Sequence, residues 1–283
     1  MSGRAALWRR FAAGMLVASL ALAFATTVSS EGQSAPVAAA SDTSESVLAA
    51  AFWSRYAADT NSNIELVMRS VSGREQSRHI QLVTKMIEGR LNSIGRLRAP
   101  EYLRGMTILT IEKDGGSHDA FVFLPSLGKV RRITTAQKGD AFFGSDVTYE
   151  DLERRRVEEF DLDALETAEL YGEAVYVIRG ALIRKGNYSR AEFVVAQSDG
   201  AILVNRYYKR GQESPYRVIT ASRATMVRQG GHVLPTRLIV SNELRGTTTE
   251  VLIRNLRVNP PLDDRIFTVA TLEQERKLPD PSK

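Results

Sequence analysis

The sequence predicts a mainly β protein with a few helices, and three observations carry that prediction. Over much of the chain apolar residues recur with a period of two, as at Ile64, Leu66 and Met68, the pattern of strands that bury one face. Turn signals fall between these runs at short spacing: Asp114-Gly115-Gly116, Ser126-Leu127-Gly128, Ser198-Asp199-Gly200 and Gln229-Gly230-Gly231. The repeated crossover helices that parallel strands require are missing from the pattern. The strands should therefore form antiparallel meanders.

The chain opens with Arg4, Arg9 and Arg10 and no acid, followed by an apolar run over 11–25 broken by Gly14 and Ser19. This order is that of a secretory signal, and the run is shorter than the ~20 residues that span a bilayer. Residues 1–25 are read as a cleaved signal peptide, with Ala23-Phe24-Ala25 fitting the small-x-small cleavage rule and a cut after Ser30 as the alternative. The chain has no Cys, which excludes acylation at a Cys, disulfides, thiol catalysis and Cys-held zinc. The mature protein is expected to be periplasmic, soluble and not lipidated. Removal of 1–25 takes three arginines and no acids, so the formal charge falls from +5 to +2. Nucleic acid is then not an expected partner. Residues 26–43 are poor in bulky apolar side chains and read as a disordered spacer. Residues 44–283 read as a single domain.

Residues 44–58 predict a helix, because Val47, Leu48, Ala51, Phe52 and Tyr56 recur near a 3.6 spacing behind the capping residues Ser44 and Ser46. It serves as a lid or covers a sheet edge. Strands are predicted around 64–68, 80–87, 91–97, 106–111, 120–124 and 129–134. A second series covers 174–183, 191–196, 201–208, 216–227, 233–240 and 247–256. The inward-facing candidates are Phe121, Phe123, Ala191, Phe193, Val195, Ile202, Val204, Val251 and Ile253. A curved sheet that its own side chains do not fill would leave a cavity for an apolar ligand. An ordinary packed core is the other reading of the same residues.

Between the two series lies Phe143-Gly144-Ser145-Asp146-Val147-Thr148-Tyr149-Glu150-Asp151-Leu152. Thr148 and Asp151 have the spacing of a capping box, in which Asp151 reaches back to the Thr148 N–H. Gly144 permits a positive φ just before it. Arg131 or Arg132 is the expected partner of Asp146 or Asp151, bridging strand and helix.

The order Phe123-Leu124-Pro125, Lys129-Val130-Arg131-Arg132-Ile133, Phe143-Gly144-Ser145-Asp146 and Thr148-Tyr149-Glu150-Asp151-Leu152 resembles the LolA-like outer-membrane lipoprotein-sorting family. That family shows a Tyr-Leu-Pro, an Arg-Arg-Ile step and a Gly-Ser-Asp-Phe-Thr-Tyr-Glu-Asp block. Gly105-Met106-Thr107-Ile108-Leu109 and Ile266-Phe267-Thr268 extend the resemblance over 62–271. Phe123, the Phe142-Phe143 pair and Val147 depart from its usual residues but stay apolar. The resemblance implies an open, twisted antiparallel half-barrel with helices covering its concave face and an apolar cavity for acyl chains. It implies a carrier of lipoproteins or lipids between envelope membranes, with an inner-membrane transporter and an outer-membrane acceptor as further partners. Leu124, Pro125, Arg131, Arg132, Phe143, Gly144, Ser145, Asp146, Thr148, Tyr149, Glu150 and Asp151 would then be mainly structural. The alternative is a non-enzymatic envelope sensor or regulatory module of the same fold that binds a partner protein.

No catalytic constellation stands out. His79, His118 and His232 lie far apart, read as surface or turn residues, and lack metal-ligand spacing. There is no nucleophile elbow and no phosphate loop, so neither a cofactor nor a metal is expected. The remaining enzymatic reading is an envelope hydrolase using Ser145 and an Asp. The clusters Lys129/Arg131/Arg132 and Arg154/Arg155/Arg156 read as solvated faces or as contacts for anionic head groups.

Overall fold

The computed structural model describes residues 42–183, 186–273 and 277–282. The expected signal peptide and the spacer up to residue 41 lie outside the described residues. Thr43, placed in the spacer by sequence, instead caps helix α1, Ser44–Tyr56. The Ser46 N–H donates to the Thr43 hydroxyl at 3.1 Å, and the Thr43 N–H donates to Ser46 Oγ at 2.9 Å.

Sixteen strands follow among the described residues. The first six are β1 Thr60–Arg69, β2 Glu75–Ile87, β3 Arg90–Ala99, β4 Thr107–Glu112, β5 His118–Leu124 and β6 Lys129–Ile133. The next six are β7 Phe160–Leu162, β8 Glu166–Leu170, β9 Glu173–Leu182, β10 Arg190–Ala196, β11 Ile202–Tyr208 and β12 Arg217–Ala221. The last are β13 Met226–Gln229, β14 His232–Pro235, β15 Arg237–Asn242 and β16 Thr247–Val258, with helix α2, Val269–Glu273, near the end. Fourteen strands form one sheet in the order β6-β5-β4-β3-β2-β1-β16-β15-β12-β11-β10-β9-β7, with β8 added on β9. The sheet is two meanders joined where β1 pairs with β16, with Ile64 opposite Ile253 and Leu66 opposite Val251. Every pairing described is antiparallel, and the end strands β6 and β7 do not pair, so the sheet stays open.

Two predicted strands are in fact four. The run 216–227 breaks into β12 and β13 at a turn over Arg223–Thr225, and 233–240 breaks into β14 and β15 at Thr236. Pro235 has no N–H to continue a ladder, and the Thr236 hydroxyl donates instead to the Thr225 carbonyl at 2.7 Å. The freed hairpin β13–β14 docks on α1. The sequence reads 157–160 as β-like, whereas 157–159 is a 3₁₀ turn and strand β7 begins at Phe160; β8 (Glu-Thr-Ala-Glu-Leu) gave no signal because it is exposed along nearly its whole length.

The first meander buries both faces. Val83, Ile94, Leu109 and Phe123 pack beneath Phe267, Leu272 and Leu278 of the C-terminal segment. Ile80, Ile108 and Val122 lie on the other face, with Leu66, Val240 and Val251. Residues 134–159 leave β6 at one end of the sheet and reach β7 at the other, forming a strap over this second face. α2 thus lies away from it, and the expected helical cover is provided by α1, together with the strap and the β13–β14 hairpin.

Candidate functional site

The site is a cavity of about 260 Å³ between the sheet and this cover. Its walls are strongly apolar: Ile64, Leu66, Ile80, Leu82 and Ile108 from the first meander, and Ile219, Leu238 and Val240 from the second. Phe142, Val147 and Leu152 close it from the strap. Alternation explains the wall, since Ile80, Leu82 and Thr84 of β2 face the cavity while Val83 between them is fully buried on the far side.

Of the nine inward candidates, Ile202, Val204, Val251 and Ile253 line the cavity. Phe121 and Phe123 do not: they pack against the C-terminal segment on the opposite face. Phe121-Val122-Phe123 is apolar at every position, so period alone could not choose, and Val122 takes the cavity side. Ala191, Phe193 and Val195 are occupied by α1, whose Phe52 meets Phe193 edge-on at 5.3 Å. They seat the lid rather than the wall. The lid is also held by β14, where the Val233 N–H donates to Ser54 Oγ at 2.9 Å and the His232 ring stacks on Trp53 at 4.6 Å.

The motif residues build the strap. Phe143 and Gly144 both have positive φ, 50° and 81°, and turn the chain back sharply. The Ser145 hydroxyl is buried and donates to the Phe142 carbonyl at 2.7 Å. Asp146 accepts from the hydroxyls of Thr247 at 2.6 Å and Thr249 at 2.9 Å, clamping the strap to β16. Tyr149–Leu152 is a 3₁₀ turn, and the Thr148 N–H donates to Asp151 Oδ2 at 2.7 Å as the capping box requires. The strand–strap ion pair exists with a different arginine: Asp151 pairs with Arg217 of β12, both nearly fully buried. Arg131 and Arg132 lie exposed on the edge strand β6, where Arg132 pairs with Asp119. Leu124 and Pro125 form the turn that leads into β6.

The Arg154-Arg155-Arg156 run is not a solvated face. Arg154 and Arg156 converge on the fully buried Glu112 at 2.9 and 2.6 Å. Burial pushes the Glu112 carboxyl up, but the Leu91 N–H and these two guanidinium groups outweigh it and hold it below the usual range. Arg155 is buried against Glu150 at 3.1 Å and Glu159 at 3.3 Å. Two histidines are likewise not at the surface. His232 is buried beneath α1. His118 is buried where the strap meets β5, its Nε2 accepting the Arg154 N–H at 3.4 Å.

Sequence reasoning missed one end of the cavity altogether. Arg55, Tyr56, Asn205 and Tyr207 line it there, with Asp151 and Arg155 of the strap. Burial raises the phenol pKa of Tyr56 and Tyr207, so both remain protonated donors. One signal was available: Arg55 stands four residues after Ala51 and seven after Leu48, on the stripe that should be apolar. Tyr207 and Arg217 left none, because only the register sets them opposite each other.

An open antiparallel half-barrel with a capped apolar cavity is the LolA-like fold. The fold is shared with an outer membrane lipoprotein-sorting protein domain from Vibrio parahaemolyticus, at a TM-score of 0.74 and 19% identity over 80% of this chain and 97% of that one. A LolA superfamily protein from Nitrosomonas europaea matches at 0.64 and 22% over 81% and 99%. A DUF1329 family protein from Desulfovibrio piger matches at 0.75 and 22% over 81% and 97%. A comparison with curated proteins gives no match. The family model that matches is described as that of an uncharacterized protein and spans residues 89–274, more than half of the chain. The chain belongs to that family.

Proposed function

We propose that this protein is a periplasmic carrier that holds acyl chains of lipids or lipoproteins in the cavity and passes them between envelope membranes. The observation that carries this reading is the apolar cavity itself, left unfilled under a lid and strap whose polar anchors lie at its margins. An acyl chain gains about 0.8 kcal/mol for each CH₂ removed from water, so binding needs no covalent step. Release then follows from a competing acceptor or from movement of α1, which buries a modest apolar stripe (Leu48, Ala51 and Phe52). The Vibrio protein that shares this fold is an outer membrane lipoprotein-sorting protein domain, which supports such a role. The export signal read from residues 1–25 supports the compartment.

The test is mass spectrometry of organic extracts from protein exported to the periplasm and purified without detergent. Stoichiometric co-purified lipid or lipoprotein is the expected result. A protein that arrives empty, and fails to bind a fluorescent acyl probe, overturns the carrier reading. One stoichiometric protein partner with no lipid would instead favour a regulatory module.

A further inference from the structure

We propose that the cavity selects acyl chains that end in an anionic head group, with the head group held by Arg55 beside Tyr56, Asn205 and Tyr207. This rests on the carrier reading and adds the chemical class of the cargo.

The first ground is charge pairing. At this end of the cavity Arg217 is neutralised by Asp151, Arg155 by Glu150 and Glu159, and Lys138 by Glu153 at 2.6 Å. Arg55 has no carboxylate partner among the described residues, and the groups that act on its charge are the phenols of Tyr56 and Tyr207. It nevertheless lies in the wall of an apolar cavity. Withdrawing a guanidinium from water without a counter-charge is costly, and burial accordingly pulls its pKa below the usual arginine value. An anion delivered by the cargo removes that cost.

The second ground is an unsatisfied amide. Asn205 lines the same wall, and its buried side-chain oxygen has no hydrogen-bond partner. The amide can equally turn its NH₂ to the cavity, since O and N exchange by a simple flip. Asn205 and Tyr207 are two apart on β11, and Tyr207 also feels the charge of Arg55. A guanidinium fork, an amide and two phenols offer donors only or donors by rotation, the set that suits a carboxylate or phosphate. The tail then runs toward Leu82, Gly95 and Ile108 on the far strands of the first meander.

The experiment compares hexadecanoic acid with its methyl ester at pH 7, where the free acid is ionised, by displacement of a neutral fluorescent apolar probe. Wild-type protein should bind the acid at least about tenfold more tightly than the ester. Arg55→Gln should bring the acid down to the ester's affinity and leave the ester unchanged, and Arg55→Lys should restore part of the preference. Equal affinity of the wild type for acid and ester overturns the head-group proposal and leaves the carrier reading standing. Equal weakening of both ligands in Arg55→Gln also overturns it. Failure of both ligands to bind removes the carrier reading and this proposal with it. The wild-type comparison needs no variant, so a poorly folding Arg55→Gln does not block the test.

Discussion

The two faces of the first meander are made by the same strands and end differently. On one, Val83, Ile94, Leu109 and Phe123 meet Phe267, Leu272 and Leu278 in continuous packing. On the other, Ile64, Leu82 and Ile108 look into the cavity. Both sets are apolar and both alternate with period two. The difference is made by what the rest of the chain lays over each face: a C-terminal segment with large side chains on one, a polar-anchored strap and a lid on the other. Apolar patterning says that a face is removed from water, not that it is filled.

The sharpest way to break that comparison is at Phe267, which is 4% exposed. Phe267→Ala leaves a void in close packing and should cost about 3–5 kcal/mol in denaturant titrations. Acyl-probe affinity of the folded fraction should stay unchanged, because this residue touches only the filled face. A loss of binding with little loss of stability would mean that the two faces are not separate.

The sequence made the meanders, helix α1 and the Thr148–Asp151 capping box readable, because each depends on neighbours within a few residues; the cap of α1, Thr43, was placed in the spacer. It also made the cavity readable as a class of feature. It did not reveal which residues form the wall. Phe121-Val122-Phe123 and Val194-Val195 are apolar on consecutive positions, so their facing is decided by register and by what covers them. The partner of Asp151 was unreadable for a related reason: Arg217 lies 66 residues away, and only the folded sheet brings it nearer than Arg131 or Arg132. The arginine run 154–156 misled because three consecutive charges usually mean solvent, whereas here buried Glu112 and Glu150 and the partly buried Glu159 receive them.

The seam between strap and sheet differs from both faces in being polar, and pH should act there. His118 is held neutral: burial lowers its pKa from 6.5 to about 4, with Lys138, Arg155 and Arg154 adding to the effect and Glu112 opposing it. Between those values the unfolded chain binds a proton that the folded one refuses, so stability falls as pH drops from 6.5 towards 4. The ceiling is roughly 3 kcal/mol. Melting temperatures of wild type and His118→Gln should diverge in slope across that window and run parallel above pH 7. The difference between the two isolates the imidazole from Glu112, whose carboxyl is shifted down, and Glu153, whose carboxyl burial shifts up against the pull of Lys138. Parallel curves throughout would mean that His118 is solvated and the seam open.

The smallest stability effect tests the cavity face directly. Leu82 is only partly buried and part of its side chain looks into the cavity, so Leu82→Ala removes atoms that already lack neighbours on one side. It should cost about 1 kcal/mol, since little new void is created. Leu109→Ala, whose side chain is fully buried on the filled face of β4, should cost about 2–5 kcal/mol. Ligand affinity should reverse the ranking: Leu82→Ala weakens acyl-probe binding several-fold, and Leu109→Ala leaves it alone. The reversal matters more than either value, because a general loosening of the sheet would lower both quantities together. Equal stability costs at the two leucines would show that the cavity collapses in solution, and the distinction between a filled face and a receiving face would fall with it.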